Sequence, residues 1–193
     1  MTGSATGGRE ATEAPRKPAT LGLLVVGLAE VGALAAMGWI PGARGTPMPA
    51  FVLWGVAFAA HLGAWRLLVV GAPRARRSVL WIVGIAGRLA LLPLTPHFSD
   101  DVWRYLWDGW VASHGVNPYL LPPAADALDP LSTAWRSLVN HPEIATIYPP
   151  GAQLVFHLLV LLGPSVLLFK AAWVAADLGV AAVVDRLARR RGD

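Results

Sequence analysis

Cysteine is absent from the 193 residues, so disulfides, thiolate nucleophiles and cysteine metal sites are excluded together. Charge is scarce, with Asp, Glu, Lys and Arg at 15% against 55% apolar residues. At a mean hydropathy of +0.51 the chain is too apolar for an ordinary soluble domain and reads as a polytopic membrane protein. A glycine-rich phosphate loop is missing, as is any alternation of strand and helix patterns, so nothing points to nucleotide binding. Dense clusters of metal-ligating side chains are missing too. Asp100, Asp101 and His141 come nearest to one, and no metal or other cofactor is expected. The net charge of +4 would suit nucleic acid, but the basic residues sit in short flanks beside apolar runs. That is how membrane topology is encoded rather than how a phosphate backbone is gripped, so the expected partner is the lipid bilayer and not nucleic acid.

What is present is a series of membrane-length runs. Residues 1–20, rich in Gly, Pro, Ala and Thr, have no apolar face and read as a disordered tail. Leu21 to Ile40 is apolar apart from Glu30 and long enough to cross a hydrocarbon core of about 30 Å. A cleavable leader is the rival reading, with Ala33-Leu34-Ala35 as its cleavage site, but the length of the run and Glu30 favour a span. A turn-forming loop from Pro41 to Pro49 leads to a second run, Ala50 to Gly71, which carries His61 and Arg66. A third, Val79 to Leu94, is interrupted only by Arg88. Arg9, Arg16 and Lys17 precede the first run, and Arg74, Arg76 and Arg77 follow the second. By the excess of cations on cytoplasmic flanks, the segment after the third run lies on the outer face of the plasma membrane. Ala152 to Leu162 is too short to span and reads as interfacial or re-entrant. Ser165 to Val184 then returns inward, which leaves Arg186, Arg189, Arg190 and Arg191 in the cytoplasm. The expected fold is an all-α polytopic helical bundle of about four crossings. Residues 21–95 hold three crossings, 96–164 an outer loop of interfacial helices, 165–185 the fourth crossing, and 186–193 a basic tail.

Candidate chemistry concentrates in that loop. Asp100, Asp101, Asp108, Asp126, Asp129 and Glu143 face only Arg104 and Arg136 there. Ser99 is a plausible helix cap, and Asp100 and Asp101 suit the positive end of a helix dipole. Helical periodicity puts Asp101, Tyr105 and Asp108 on one face and Asp100, Arg104 and Trp107 on another. Trp103, Trp107 and Trp110 fit a helix at headgroup level. Capping and interfacial anchoring explain these residues as well as catalysis does. Val116-Asn117-Pro118-Tyr119 reads as a turn, the stretch from Pro122-Pro123 as a flexible loop, and Tyr148-Pro149-Pro150 as a stiff re-entry that aims the helix behind it. Glu30, His61, Arg66, Arg88, Lys170 and Asp177 are polar residues inside apolar runs, for which mutual neutralisation is the expected use; Glu30 with Arg66 or Arg88 is a pairing to test.

Three pieces, S-D-D-V-W-R-Y-L-W-D-G from Ser99, G-V-N-P-Y from Gly115 and H-P-E-I-A-T-I-Y-P-P-G-A-Q from His141, occur in an order that resembles the first large outer loop of C-type integral-membrane glycosyltransferases. The chain is most similar to the bacterial polyprenol-phosphomannose-dependent mannosyltransferase-like group, over Leu91 to Arg191. The resemblance implies inverting transfer of a sugar, with mannose the expected one, from a polyprenyl-phosphate donor to an acceptor hydroxyl on an unidentified glycan or lipid. It makes Asp100 the general base and Asp101 the residue that orients acceptor or base. A carboxylate within hydrogen-bond reach of the attacking hydroxyl is what such a step needs, and the leaving phosphate wants cations. Arg104, Arg88 and Lys170 are the candidates for that phosphate. Tyr105, Asp108, Asn117, Tyr119, His141, Tyr148 and Gln153 complete the expected substrate-binding set. Members of this family carry many more crossings, so the chain is expected to be an N-terminal fragment or split subunit whose partner is a separate membrane chain. A non-catalytic remnant or accessory subunit is the alternative, and a transporter is a weaker third.

Overall fold

The computed structural model describes residues 17–40, 48–71, 77–94, 96 and 99–191. Residues 1–16 of the expected tail, residues 41–47 of the loop after the first run, and Arg9, Arg16, Arg74 and Arg76, on which the orientation rests, lie outside the described residues, whereas Lys17 to Thr20, expected in the tail, form the first turn of a helix. Within them the protein is all-helical, without strands. Six α-helices follow in order: α1 (Lys17–Ala36), α2 (Met48–Arg66), α3 (Arg77–Leu91), α4 (Asp101–Ser113), α5 (Pro150–Leu162) and α6 (Val166–Arg191).

Among the described residues three stretches are long and apolar enough to cross a membrane: Thr20–Trp39, Met48–Val69 and Val166–Arg191. The expected third crossing is a shorter helix. The 15 residues of α3 rise about 22 Å at 1.5 Å each, less than a hydrocarbon core of about 30 Å. Large apolar side chains of α2, among them Phe51, Trp54, Phe58 and Trp65, point away from the protein. Such a surface suits lipid, where backbone groups must be satisfied within the helix and side chains need not hide.

The helices form two groups. α1 packs against both α2 and α3, and α4 packs against α5 and α6. Glu30 of α1 faces His61 of α2, with Oε1 3.4 Å from Nδ1. Arg88 of α3 pairs with Asp177 of α6, so neither arginine proposed for Glu30 is its observed partner. Between α3 and α6 a second pair, Arg77 with Asp185, bridges the same two helices.

α4 is the centre of the second group and is buried on two sides. One side carries Leu106 against Phe156, Val160 and Phe169. The other carries Trp107 and Val111 against Leu128 and Val139 from the long connection that follows. This corrects the reading of Trp107 as a headgroup anchor, while Trp103 and Trp110 are half-buried. Trp107 is only 1% exposed and meets Trp135 edge-on at 6.3 Å, while the indole N–H of Trp110 donates to Leu131 O at 3.0 Å. A 3.6-residue stripe of indoles looks the same in sequence whether lipid or protein covers it; here the 116–139 connection does.

Two glycines set the ends and spacing of this unit. A Cβ on Gly109 would lie 2.5 Å from the carbonyl oxygen of Phe156 and 2.8 Å from Val160 Cγ2, so α4 and α5 approach backbone to backbone at this point. Gly115, at φ 77°, ends α4. Around it the Val116 N–H donates to Val111 O and the Gly115 N–H to Ala112 O, both at 3.0 Å, and Val116 folds back onto the same apolar cluster as Val111.

The connection from Val116 to Pro149 is packed rather than loose, contrary to the expectation for its Pro-Pro segment. Arg136 is the reason. Its guanidinium donates to Pro123 O at 2.8 Å, Ala125 O at 3.1 Å and Asp129 Oδ1 at 2.7 Å, and lies over the Trp107 ring at 5.2 Å. Proline at the first position of α5 suits a helix start, where the missing N–H has no intrahelical partner.

Candidate functional site

At the start of α4, Ser99 Oγ accepts the Asp101 N–H at 3.2 Å. Asp100 occupies the cap position, yet its carboxylate makes no capping bond. Instead Asn140 Nδ2 donates to Asp100 Oδ1 at 2.9 Å and to Asp101 Oδ1 at 2.8 Å. One amide therefore clamps both half-buried carboxylates from a residue about 40 positions further along the chain.

Arg104 holds that residue's segment in place. It is 5% exposed, and its three donating nitrogens reach Asp108 Oδ1 at 3.1 Å, His141 O at 3.3 Å and Ile144 O at 2.5 Å. Periodicity had set Arg104 on a face with Asp100 and Trp107, but its partner is Asp108, four residues on. His141 adopts φ 45°, the sole positive value among described non-glycine residues, so the chain turns sharply straight after Asn140. Its side chain is exposed, with Nδ1 3.6 Å from Glu143 Oε1.

Asp108 is 1% exposed. It also accepts from Gln153 Nε2 at 2.8 Å, and that nitrogen donates to Thr146 Oγ1 at 2.7 Å. Burial raises the Asp108 carboxyl above its ordinary value of 3.8, opposed by its hydrogen bonds to Thr146, Gln153 and Arg104 and by the arginine's charge. Asp108 and Gln153 thus join α4 to α5 beneath the Asp pair, and neither reaches open space.

Beside the pair lies a pocket of about 130 Å³, walled by Asp101, Arg104, Asn140, His141, Ile144, Ala145, Ile147 and Tyr148. Asp101 reaches its wall, and Asp100 connects to it through Asn140. Tyr148 stands edge-on to Tyr105 at 5.1 Å, and Tyr105 stacks on Phe156 at 4.6 Å. Burial pushes the Tyr148 hydroxyl above the usual phenol range, helped by hydrogen bonding with Tyr105 and by the charges of Tyr105 and Asp101. A neutral phenol, able to donate, therefore borders the pocket. Asn117 and Tyr119 support this wall from behind. Asn117 Oδ1 accepts the Tyr119 N–H at 2.9 Å, and the Tyr119 hydroxyl donates to Tyr148 O at 2.5 Å.

The cations expected for a phosphate are all engaged. Arg104 is a buried fork. Arg88 donates to Asp177 and, through Nη1, to Gly84 O at 2.9 Å. Lys170 Nζ donates to Leu91 O, at the end of α3, and to Leu94 O in the turn just beyond it, the latter at 2.8 Å. It closes a helix end whose last carbonyls have no partner within the helix. Among the described residues no group of three or more His, Asp or Glu could hold a metal ion.

The chain matches no protein-family model, no curated protein and no solved structure.

Of the residues expected in the site, Asp101, Arg104, His141 and Tyr148 meet at the pocket. Asp100, Tyr105, Asp108, Asn117, Tyr119 and Gln153 lie around it as supports. Arg88 and Lys170 instead serve the interface between α3 and α6. Asn140 is the residue missed. An asparagine between Val139 and His141 carries no motif, and only the fold brings it to the carboxylates.

Proposed function

We propose that the chain belongs to a membrane glycosyltransferase in which the Asp100–Asp101 pair removes the proton of an acceptor hydroxyl as that oxygen attacks the anomeric carbon of a polyprenyl-phosphate sugar. The acceptor oxygen bonds to that carbon from one face, the bond to the phosphate oxygen breaks on the other, and the phosphate leaves with the electron pair, which inverts the centre. The observation that carries this reading is the clamped carboxylate pair beside a pocket bordered by a phenol, on a helix packed against a membrane-length one. Asn140 fixes both carboxylates before substrate arrives, so little reorganisation accompanies proton transfer. The motif resemblance gives Asp100 the role of base; the pocket geometry favours Asp101 as the carboxylate nearer the acceptor. Mannose is the proposed sugar, and the outer face of the plasma membrane the proposed side.

A second reading rests on the engaged cations. Since Arg88, Arg104 and Lys170 each have partners, neutralising the leaving phosphate falls to groups beyond these three, which favours an assembly with a second membrane chain. In that reading the chain contributes the base, or presents its loop as an accessory subunit. Transfer from purified polyprenyl-phosphate mannose to glycan and lipid acceptors, in membranes and after purification, separates the two. Transfer by the purified chain supports the catalytic reading; transfer lost on separation from a copurifying chain supports the assembly; none in either setting overturns catalysis.

A further inference from the structure

A groove of about 230 Å³ runs between α3 and α6, away from the Asp pair. Its walls are apolar, with Leu80, Ile85, Leu178 and Ala181 facing inward and Trp81 toward one end. The ion pairs Arg77–Asp185 and Arg88–Asp177 bracket it and hold the two helices together. At the Arg77 end, α3 begins, and the last two turns of α6 carry Asp185, Arg186, Arg189, Arg190 and Arg191. Asp185 is shared between Arg77 and Arg189, whose Nη2 lies 3.7 Å from it, so the excess is strongly positive. Arg186, Arg189, Arg190 and Arg191 are exposed.

An apolar slot opening onto an arginine cluster at the end of a membrane-length helix is complementary to one kind of molecule. We propose that this groove seats an anionic phospholipid of the surrounding bilayer, one acyl chain between α3 and α6 and its phosphate among the terminal arginines. The slot is too small for another helix, and its apolar walls give a free phosphate nothing. The proposed sugar donor would sit at the other end of α3, about 21 Å away along the helix axis, beyond Leu91. Basic clusters beside membrane helices recognise anionic headgroups through just this combination of field and contact.

The test uses the full chain, purified in neutral detergent and incubated with equal amounts of phosphatidylglycerol and phosphatidylcholine, with bound lipid read by native mass spectrometry. Phosphatidylglycerol should be retained preferentially. Arg189→Gln and Arg190→Gln, on the exposed face, should weaken its retention about fivefold each. Ala181→Phe, which fills the slot, should remove retention. Because that variant could disturb the helix pair, the two surface variants carry the test independently. Equal retention of both lipids, undiminished retention in the arginine variants, or full displacement by inorganic phosphate at equal concentration would each overturn the proposal.

Discussion

Replacing Arg104 by Met separates a buried structural fork from a phosphate-binding cation. At 5% exposure Arg104 neutralises Asp108, at 1%, and satisfies two carbonyl oxygens of the 141–144 turn. Its removal leaves a buried carboxylate without its counter-ion, which costs roughly 3–5 kcal/mol. His141 O keeps its bond from the Ile144 N–H, but Ile144 O loses its donor from Arg104. For a chain of this length the loss lowers the unfolding midpoint by roughly 10 °C. Asp108→Asn alone strands the guanidinium and should cost a similar amount. In the double variant neither charge is stranded, so its destabilisation should fall short of the summed single values by roughly 2–3 kcal/mol. Thermal unfolding of the four proteins in one detergent, followed by tryptophan fluorescence, measures the cycle. An Arg104→Met protein within about 0.5 kcal/mol of wild type, the range of an ordinary surface change, would refute the fork.

Other variants test neighbouring parts. Gly109→Ala drives a methyl against the Phe156 carbonyl and Val160 and should lower stability by about 1–3 kcal/mol or prevent folding, measured by thermal unfolding. Because burial raises the folded-state pKa of Asp108 above its unfolded value of 3.8, this group's stabilisation is complete below that value and is lost as pH rises through the folded value. The wild type should therefore lose stability relative to Asp108→Asn across that window, and parallel pH profiles would exclude the effect. Lys170→Met removes a donor from the carbonyls of Leu91 and Leu94, of which Leu91 O keeps the Leu94 N–H, and should cost about 1–3 kcal/mol in unfolding, without changing the affinity for a polyprenyl phosphate. Asn140→Leu should leave stability within about 1 kcal/mol while reducing sugar transfer by about tenfold or more, since it frees the carboxylates it clamps.

Different parts of this molecule were unequally legible in its sequence. The runs around Leu21, Ala50 and Ser165 announced themselves because length and composition alone decide whether a helix suits a bilayer. The third run did not become a membrane-length helix, since Pro93 and Pro96 cut it short and Lys170 seals its end. The Arg104–Asp108 pair stood in the sequence at four-residue spacing, yet so did other pairings along the helix, and burial chose among them. Trp103, Trp107 and Trp110 were ambiguous for a physical reason: an indole at a bilayer surface and an indole under a packed connection share one periodicity. Glu30 and His61 were visible as isolated polar residues, but which polar residue faces which depends on helix register. Asn140 had no local signal, since its role exists only once Arg104 has drawn the 141–144 turn across α4.

The most direct test of the central claim is sugar transfer from a polyprenyl-phosphate donor by Asp100→Asn, Asp101→Asn and the double variant, in membranes where the wild type transfers and with folding checked by unfolding midpoint. The account predicts that the double variant retains its fold and loses transfer by about a hundredfold or more. Transfer at the wild-type rate in a folded double variant would contradict it.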